Sequence, residues 1–178
     1  MNKTFCTFLV AIAYWLCIES GKAQSATKPA VAPASPIVTQ QPKKSNIELF
    51  RAIIERGFNQ GDLSVADEVV AQQLAEHEYL APTNLPGPEI LKWQIKTARS
   101  SVTGFKLTIE DIVADGDKVW ARMVAQGTEP RSGKWTTISV IDVCRFKDGK
   151  LVEHWGIPDR FAFMHQLGLL PEPPAGSR

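Results

Sequence analysis

The stretch IEDIVADGDKVWARMVAQGT, residues 109–128, decides the fold. Apolar residues alternate with polar ones on both arms: Leu107, Ile109 and Val113 on the first, Val119, Ala121, Met123 and Ala125 on the second. The ADGD between them has turn chemistry, so the period of two predicts an antiparallel strand pair with one buried face. A third alternating run extends from about Trp135 to Phe146, and KDGK (147–150) turns it into a last strand.

Upstream of Gly104 the period is helical. Asn46 is positioned to cap a helix in which Ile47, Phe50, Ile53, Ile54 and Phe58 recur on one face, ending at the turn residues Asn59 to Asp62. A short helix over Leu63 to Val70 follows. AEHEYLAP (75–82) then reads as a brief strand or extended rim segment stopped by Pro82. PGPE (86–89) opens a third helix, with Ile90 or Leu91, Ile95, Ala98 and Val102 as its buried stripe. Helices first and strands second predict an α+β domain, its helices laid on the concave face of a curved antiparallel sheet with a pocket between the layers.

The apolar run from Phe5 to Ile18 has the length of a signal-peptide core and is short for a bilayer span; small residues at Gly21 and Ala23 make cleavage after Ala23 the first choice, with Ser25 as an alternative site and an uncleaved anchor as the other reading. The expected organisation is a signal peptide (1–23), a flexible Pro/Ala-rich linker (24–45), one domain (46–170) and a disordered tail (171–178), exported to the periplasm or medium. Removing Lys3, Lys22 and Glu19 from 20 basic and 19 acidic residues leaves 18 of each. A balanced charge without a basic cluster argues against nucleic acid as partner, and no membrane contact is expected after cleavage. Cys144 is then the only cysteine left, and a lone strand cysteine reads as a small buried hydrophobe.

NQGDL (59–63), GPEILK (87–92), the 109–128 hairpin and DGKLVEHW…DR…QLG (148–168), in this order and spacing, resemble the SnoaL-like polyketide cyclase family of the NTF2-like superfamily. The resemblance implies a cone-shaped α+β barrel around an apolar cavity, commonly dimeric through the outer face of the sheet. It also implies that ring-closing members use an aspartate two residues after the histidine of the last strand. Here that position is Gly156.

Another carboxylate can be found by register. If KDGK forms a turn with a bulge, Phe146 pairs with Lys150 and Asp142 lies opposite His154; a two-residue turn would put them on opposite faces. The first register gives an inward row of Val140, Asp142, Cys144, Val152, His154 and Gly156, with Ile141, Val143, Glu153 and Trp155 outward. A carboxylate facing an imidazole in an apolar pocket can exchange protons near neutral pH. Asp142 and His154 are therefore the expected proton-transfer pair, with His77 at the pocket mouth as an aid. His77 also matches a position where the family often has histidine. Met123, Val140, Cys144, Gly156 and Trp93 are the expected substrate wall. Asp159 reads as a helix cap and Arg160 as a salt-bridge arginine.

Three histidines without local ligand spacing give no metal site, and no cofactor is expected. The expected function is a cofactor-independent cyclase-like lyase, isomerase or hydrolase acting on a small, largely apolar molecule. The alternatives are a non-catalytic binding protein that lost the aspartate at 156, or an accessory interaction module. A homodimer is expected, because Ile141, Val143 and Trp155 would otherwise leave the outer sheet face apolar and exposed.

Overall fold

The computed structural model describes residues 44–171. The expected signal peptide, and the linker and tail apart from residues 44, 45 and 171, lie outside the described residues.

Ser45, and not Asn46, caps the first helix. Its hydroxyl accepts the Glu48 N–H at 3.2 Å while the Glu48 carboxylate accepts the Ser45 N–H at 2.7 Å, a reciprocal capping box. Helix α1 (Asn46–Ala52) runs on into a π-helical stretch (Ile53–Asn59), and together they bury Leu49, Phe50, Ile53 and Ile54. Helix α2 (Ser64–Val69) passes directly into strand β1 (Val70–Glu76), which starts five residues before the expected rim segment. Helix α3 (Gly87–Ser101) opens with Pro88 in its first turn and buries Ile90, Leu91, Gln94 and Ile95.

Strands β2 (Thr103–Asp115), β3 (Lys118–Thr128), β4 (Trp135–Lys147) and β5 (Lys150–Pro158) form an antiparallel meander. The sheet order is β1-β5-β4-β3-β2, with β1 parallel to β5 at one edge. The sheet is curved and unclosed, and helices and inner face share one core containing Phe50, Ile54, Ile95, Val119 and Met123. Helix α4 (Arg160–Leu167) ends the domain, capped by the Asp159 carboxylate accepting the Ala162 N–H at 2.8 Å.

Two bulges decide which side chains face inward. In the first hairpin Ile109 pairs with Met123 but Asp111 pairs with Arg122, so Glu110 is the extra residue. Beyond it the parity inverts: Ile112 packs against the core, and Val113, expected inward, is 58% exposed. One residue of slip exchanges the faces of everything that follows.

In the second hairpin Asp148 and Gly149 both have positive φ, 53° and 79°, as a tight two-residue turn requires. Lys147 therefore pairs with Lys150 and Phe146 with Leu151, not with Lys150 as expected. The ladder then shifts, Arg145 pairing with Glu153, so that Val152 is the extra residue. The two-residue turn alone would have put Asp142 and His154 on opposite faces, and the bulge restores their common face. Cys144 now lies opposite His154 and Asp142 opposite Gly156. Val152 drops out of the inner row and Leu151, 3% exposed, takes its place.

The start of α3 is tied to β1 by Gly87. A Cβ there would come within 2.1 Å of the Ala71 carbonyl oxygen and 2.9 Å of the Leu74 Cβ. Gly87→Ala is expected to push β1 from α3 and cost about 1–3 kcal/mol, the range for overpacking a tight contact. Urea denaturation measures it; an unchanged midpoint would show that helix and strand are not in this contact.

Candidate active site

The last residues of β1 build half of the site. In the parallel ladder Glu76 is the partner of His154, so the two side chains leave the same face of the sheet. The chain stays extended one residue further, the His77 N–H donating to the His154 carbonyl at 3.0 Å. Alternation sends His77 outward and Glu78 inward.

His154 is buried between carboxylates. Its Nδ1 is 2.9 Å from Glu76 Oε2 and 3.0 Å from Oε1, while Nε2 is 3.6 Å from Asp142 Oδ2, an ion-pair distance too long for a hydrogen bond. The Glu76 side chain has no exposed surface. It is satisfied by His154, by the Glu78 N–H at 2.7 Å and by the Gln94 amide at 3.1 Å.

Glu78 lies beside this pair. One oxygen accepts the Gln94 amide at 3.0 Å and the other is bound by the Arg160 guanidinium. Glu78, Gln94, Asp142, His154, Gly156 and Arg160 form the polar end of a cavity of about 230 Å³ whose remaining wall is mostly apolar, including Phe50, Ile54, Phe58, Phe105 and Phe163. That is more than the ~150 Å³ of a dry cavity that holds benzene.

Gly156 has a steric reason. A Cβ at this position would stand 2.9 Å from His154 Cε1, 3.3 Å from His154 Nε2 and 3.4 Å from Glu78 Oε2. The imidazole lies over the space that a side chain at 156 would need. A residue with a Cβ would displace the ring from its carboxylates, which explains why a strand carries histidine and then leaves the next position on that face empty.

Protonation follows from these contacts. Burial works against the charged imidazole, but the carboxylates of Asp142 and Glu76 outweigh it and raise the His154 pKa from 6.5 to about 10. Burial also works against the Glu76 anion, yet the contact with His154, the Glu78 N–H and the Gln94 amide hold Glu76 below the usual carboxylate value. For Glu78 burial wins over the attraction of Arg160 and His154, and its pKa is raised. The expectation that Asp142 and His154 exchange a proton near pH 7 is thus corrected. With a second carboxylate on its other nitrogen, His154 is held as imidazolium.

The expected wall residues Trp93, Val140, Cys144 and Gly156 line the cavity; Met123 is fully buried in the core and contributes nothing to the lining. His77 is not at the mouth. It lies on the outer face, stacked on Trp155 with ring centroids 4.7 Å apart, its Nε2 3.1 Å from Glu153. Burial pushes the Cys144 thiol well above its ordinary pKa, so it is a wall atom and no nucleophile. Glu76 and Glu78 were missed. Leu74 packs against the core and shares their parity, which was the available signal, but histidine drew attention to the wrong member of EHE. Among the described residues no group of three or more His, Cys, Asp or Glu could hold a metal ion.

Because the folded pKa of His154 lies above the unfolded 6.5, its pairing adds stability that is fully present below about pH 6.5 and lost as pH rises through about 10. Chemical denaturation should show wild-type stability falling over this window, and His154→Gln should remove that slope. The variant should also be roughly 3–5 kcal/mol less stable at pH 7, since it leaves a buried carboxylate unpaired. Imidazole NMR resonances that titrate near 6.5 would overturn the assignment.

The family profile of the SnoaL-like polyketide cyclases matches residues 48–167. TsrD from Streptomyces laurentii is 26% identical, with a TM-score of 0.61 over 71% of this chain and 100% of its own. IdmH from Streptomyces antibioticus is 28% identical, with a TM-score of 0.60 over 68% and 97%. A SnoaL-like polyketide cyclase from Agrobacterium tumefaciens, 14% identical, shares the fold at a TM-score of 0.59 over 70% and 99%. The comparison with curated proteins gave no match. With the family profile spanning both the helices and the sheet around the buried His154, the chain belongs to the SnoaL-like polyketide cyclase family, an NTF2-like α+β fold.

Proposed function

We propose that this protein is an acid-base enzyme of the cyclase or isomerase type, acting without a cofactor on a small, largely apolar ketone or related carbonyl compound. The observation that carries the proposal is the buried His154 ring at the polar end of an apolar cavity, its Nε2 3.6 Å from the Asp142 carboxylate. Asp142 takes a proton from the carbon next to the carbonyl, and the negative charge that develops on the carbonyl oxygen is stabilised by the imidazolium. A fixed charge in a site shielded from water stabilises such a transition state more than water can. Positioned acid-base groups supply roughly 10² to 10⁴ in rate.

The test is deuterium wash-in. Bicyclic ketones such as 1-indanone are incubated with the protein in D₂O, and exchange at the carbon beside the carbonyl is followed by NMR. Wild type is expected to accelerate exchange by roughly 10² or more, and Asp142→Asn to return it near background. Binding without accelerated exchange would favour a non-catalytic small-molecule carrier.

Two further proposals concern setting. The apolar run and small residues near Ala23 support export, to be checked by a mature N-terminus near Gln24 or Ala26. On the outer sheet face Val113, Trp120, Val143 and Trp155 are register neighbours in one row, with Ile141 and Ile157 beside it; Val143, expected to be exposed, is already covered within the chain at 9% exposure. Val113, Trp120 and Ile157 are 58%, 46% and 66% exposed, which supports a second copy of this chain as their cover. Ile157→Glu should then shift a sedimenting dimer to monomer; a wild type that sediments as a monomer would remove the proposal.

A further inference from the structure

The cavity wall is not equally anchored on all sides. Among the described residues, α4 is the helix that lines the cavity, through Arg160 and Phe163, without burying any residue of its own. The other lining helices are seated by core side chains, Phe50 and Ile54 on one side and Leu91 and Ile95 of α3 on another. The exposed members of the wall include Leu80, Thr97, Ser101 and Arg160; they mark its rim, so the start of α4 stands at the mouth.

What holds α4 there is polar. At its start the Arg160 guanidinium binds Glu78, just beyond β1. Near its end the Gln166 amide clasps one residue of β4 twice, accepting the Thr137 N–H at 2.9 Å and donating to the Thr137 carbonyl at 2.8 Å. The clasp is possible because β5 stops at Pro158, opposite Val140, so the β4 backbone before Val140 has no partner from β5. Lys134 Nζ adds a bond to the Leu167 carbonyl at 2.9 Å. All of these contacts are exposed, and water can replace either partner at small net cost. Elements with few buried apolar contacts open first, and gating segments are drawn from them.

The helix itself needs none of these contacts. Asp159 caps its first turn, and Gly168, with φ 77°, lets the Leu169 N–H reach the Met164 carbonyl at 3.0 Å. Both ends are therefore satisfied within residues 159–169. The Asp159 N–H donates to the Ser139 carbonyl at 2.9 Å, which pins the chain to β4 just before the helix.

We infer that α4 is the gate of the cavity: an apolar molecule enters and leaves as the helix swings out about Asp159. Phe163 is the seal, and the Gln166–Thr137 clasp and the Arg160–Glu78 pair are the two latches. The gate requires a cavity that takes up a small molecule and is independent of the acid-base reading.

The experiment follows 1-fluoronaphthalene passing between its free and bound states on the full mature protein by fluorine NMR. Gln166→Ala removes the clasp, and Lys134→Ala/Gln166→Ala removes the neighbouring bond as well. Neither side chain belongs to the core or lines the cavity. A latch is lost equally from the free and the liganded protein. Association and dissociation rates are therefore expected to rise by the same factor, roughly fivefold to a hundredfold, with the Kd within about twofold of wild type. Gln166→Ala carries the test by itself if the double variant fails to fold. Unchanged rates would show that the molecule passes elsewhere and would overturn the gate. Weaker binding at an unchanged association rate, the mark of a fixed wall, or a wild type that binds no probe would overturn it as well. Faster probe kinetics while 1-indanone exchange stays at background would leave the gate standing and sink the acid-base reading.

Discussion

The contact between Glu76 and His154 is the constraint on which the site depends. A carboxylate with no exposed surface costs several kcal/mol unless a cation compensates it, and the imidazolium at 2.9 Å is that cation. The pair also fixes the edge of the sheet, since it spans the β1–β5 ladder where β1 ends. Everything else at the polar end is arranged around it. Gln94 reaches from α3 to satisfy Glu76 and Glu78 together, Asp142 balances the other edge of the ring, and Gly156 leaves the ring its space.

This arrangement changes what the missing aspartate means. The family resemblance places an acid-base carboxylate at position 156, and there a Cβ would collide with the imidazole. The cavity nonetheless contains two other carboxyl groups, from β4 and from the residue just beyond the hydrogen-bonded end of β1. Their environments differ. Asp142 stands next to the Nε2 edge of the imidazolium, whereas burial raises the pKa of Glu78 despite Arg160.

The outer face follows different physics. His77 stacked on Trp155, the Arg145–Glu153 ion pair at 2.7 Å and Lys118 over the Trp155 ring are half-buried or exposed contacts that cover part of the sheet. Pairs in such positions contribute little to stability because water competes for them. The same alternation that makes this face polar at 153 makes it apolar at 155 and 157, so the strand carrying the site also carries the surface a second copy would cover.

Period, glycine and proline placement and turn chemistry are local properties, and from them the helices, the four-strand meander and the family resemblance were legible, whereas β1 was legible only as a brief strand or rim segment starting five residues late. The sequence also brought Asp142 and His154 together, though by a register that does not occur. What it left open was parity. A bulge adds one residue without any composition signal, and the bulges at Glu110 and Val152 decide whether Ile112 or Val113, and Leu151 or Val152, face the core. The role of Glu76 and Glu78 was closed to sequence reading for a related reason. Their partners His154, Gln94 and Arg160 are 78, 18 and 82 residues away along the chain, and only a parallel edge strand seated under α3 makes them neighbours. Charge state was decided last and entirely by tertiary structure, since an imidazole becomes a lasting cation when folding places carboxylates on both its nitrogens.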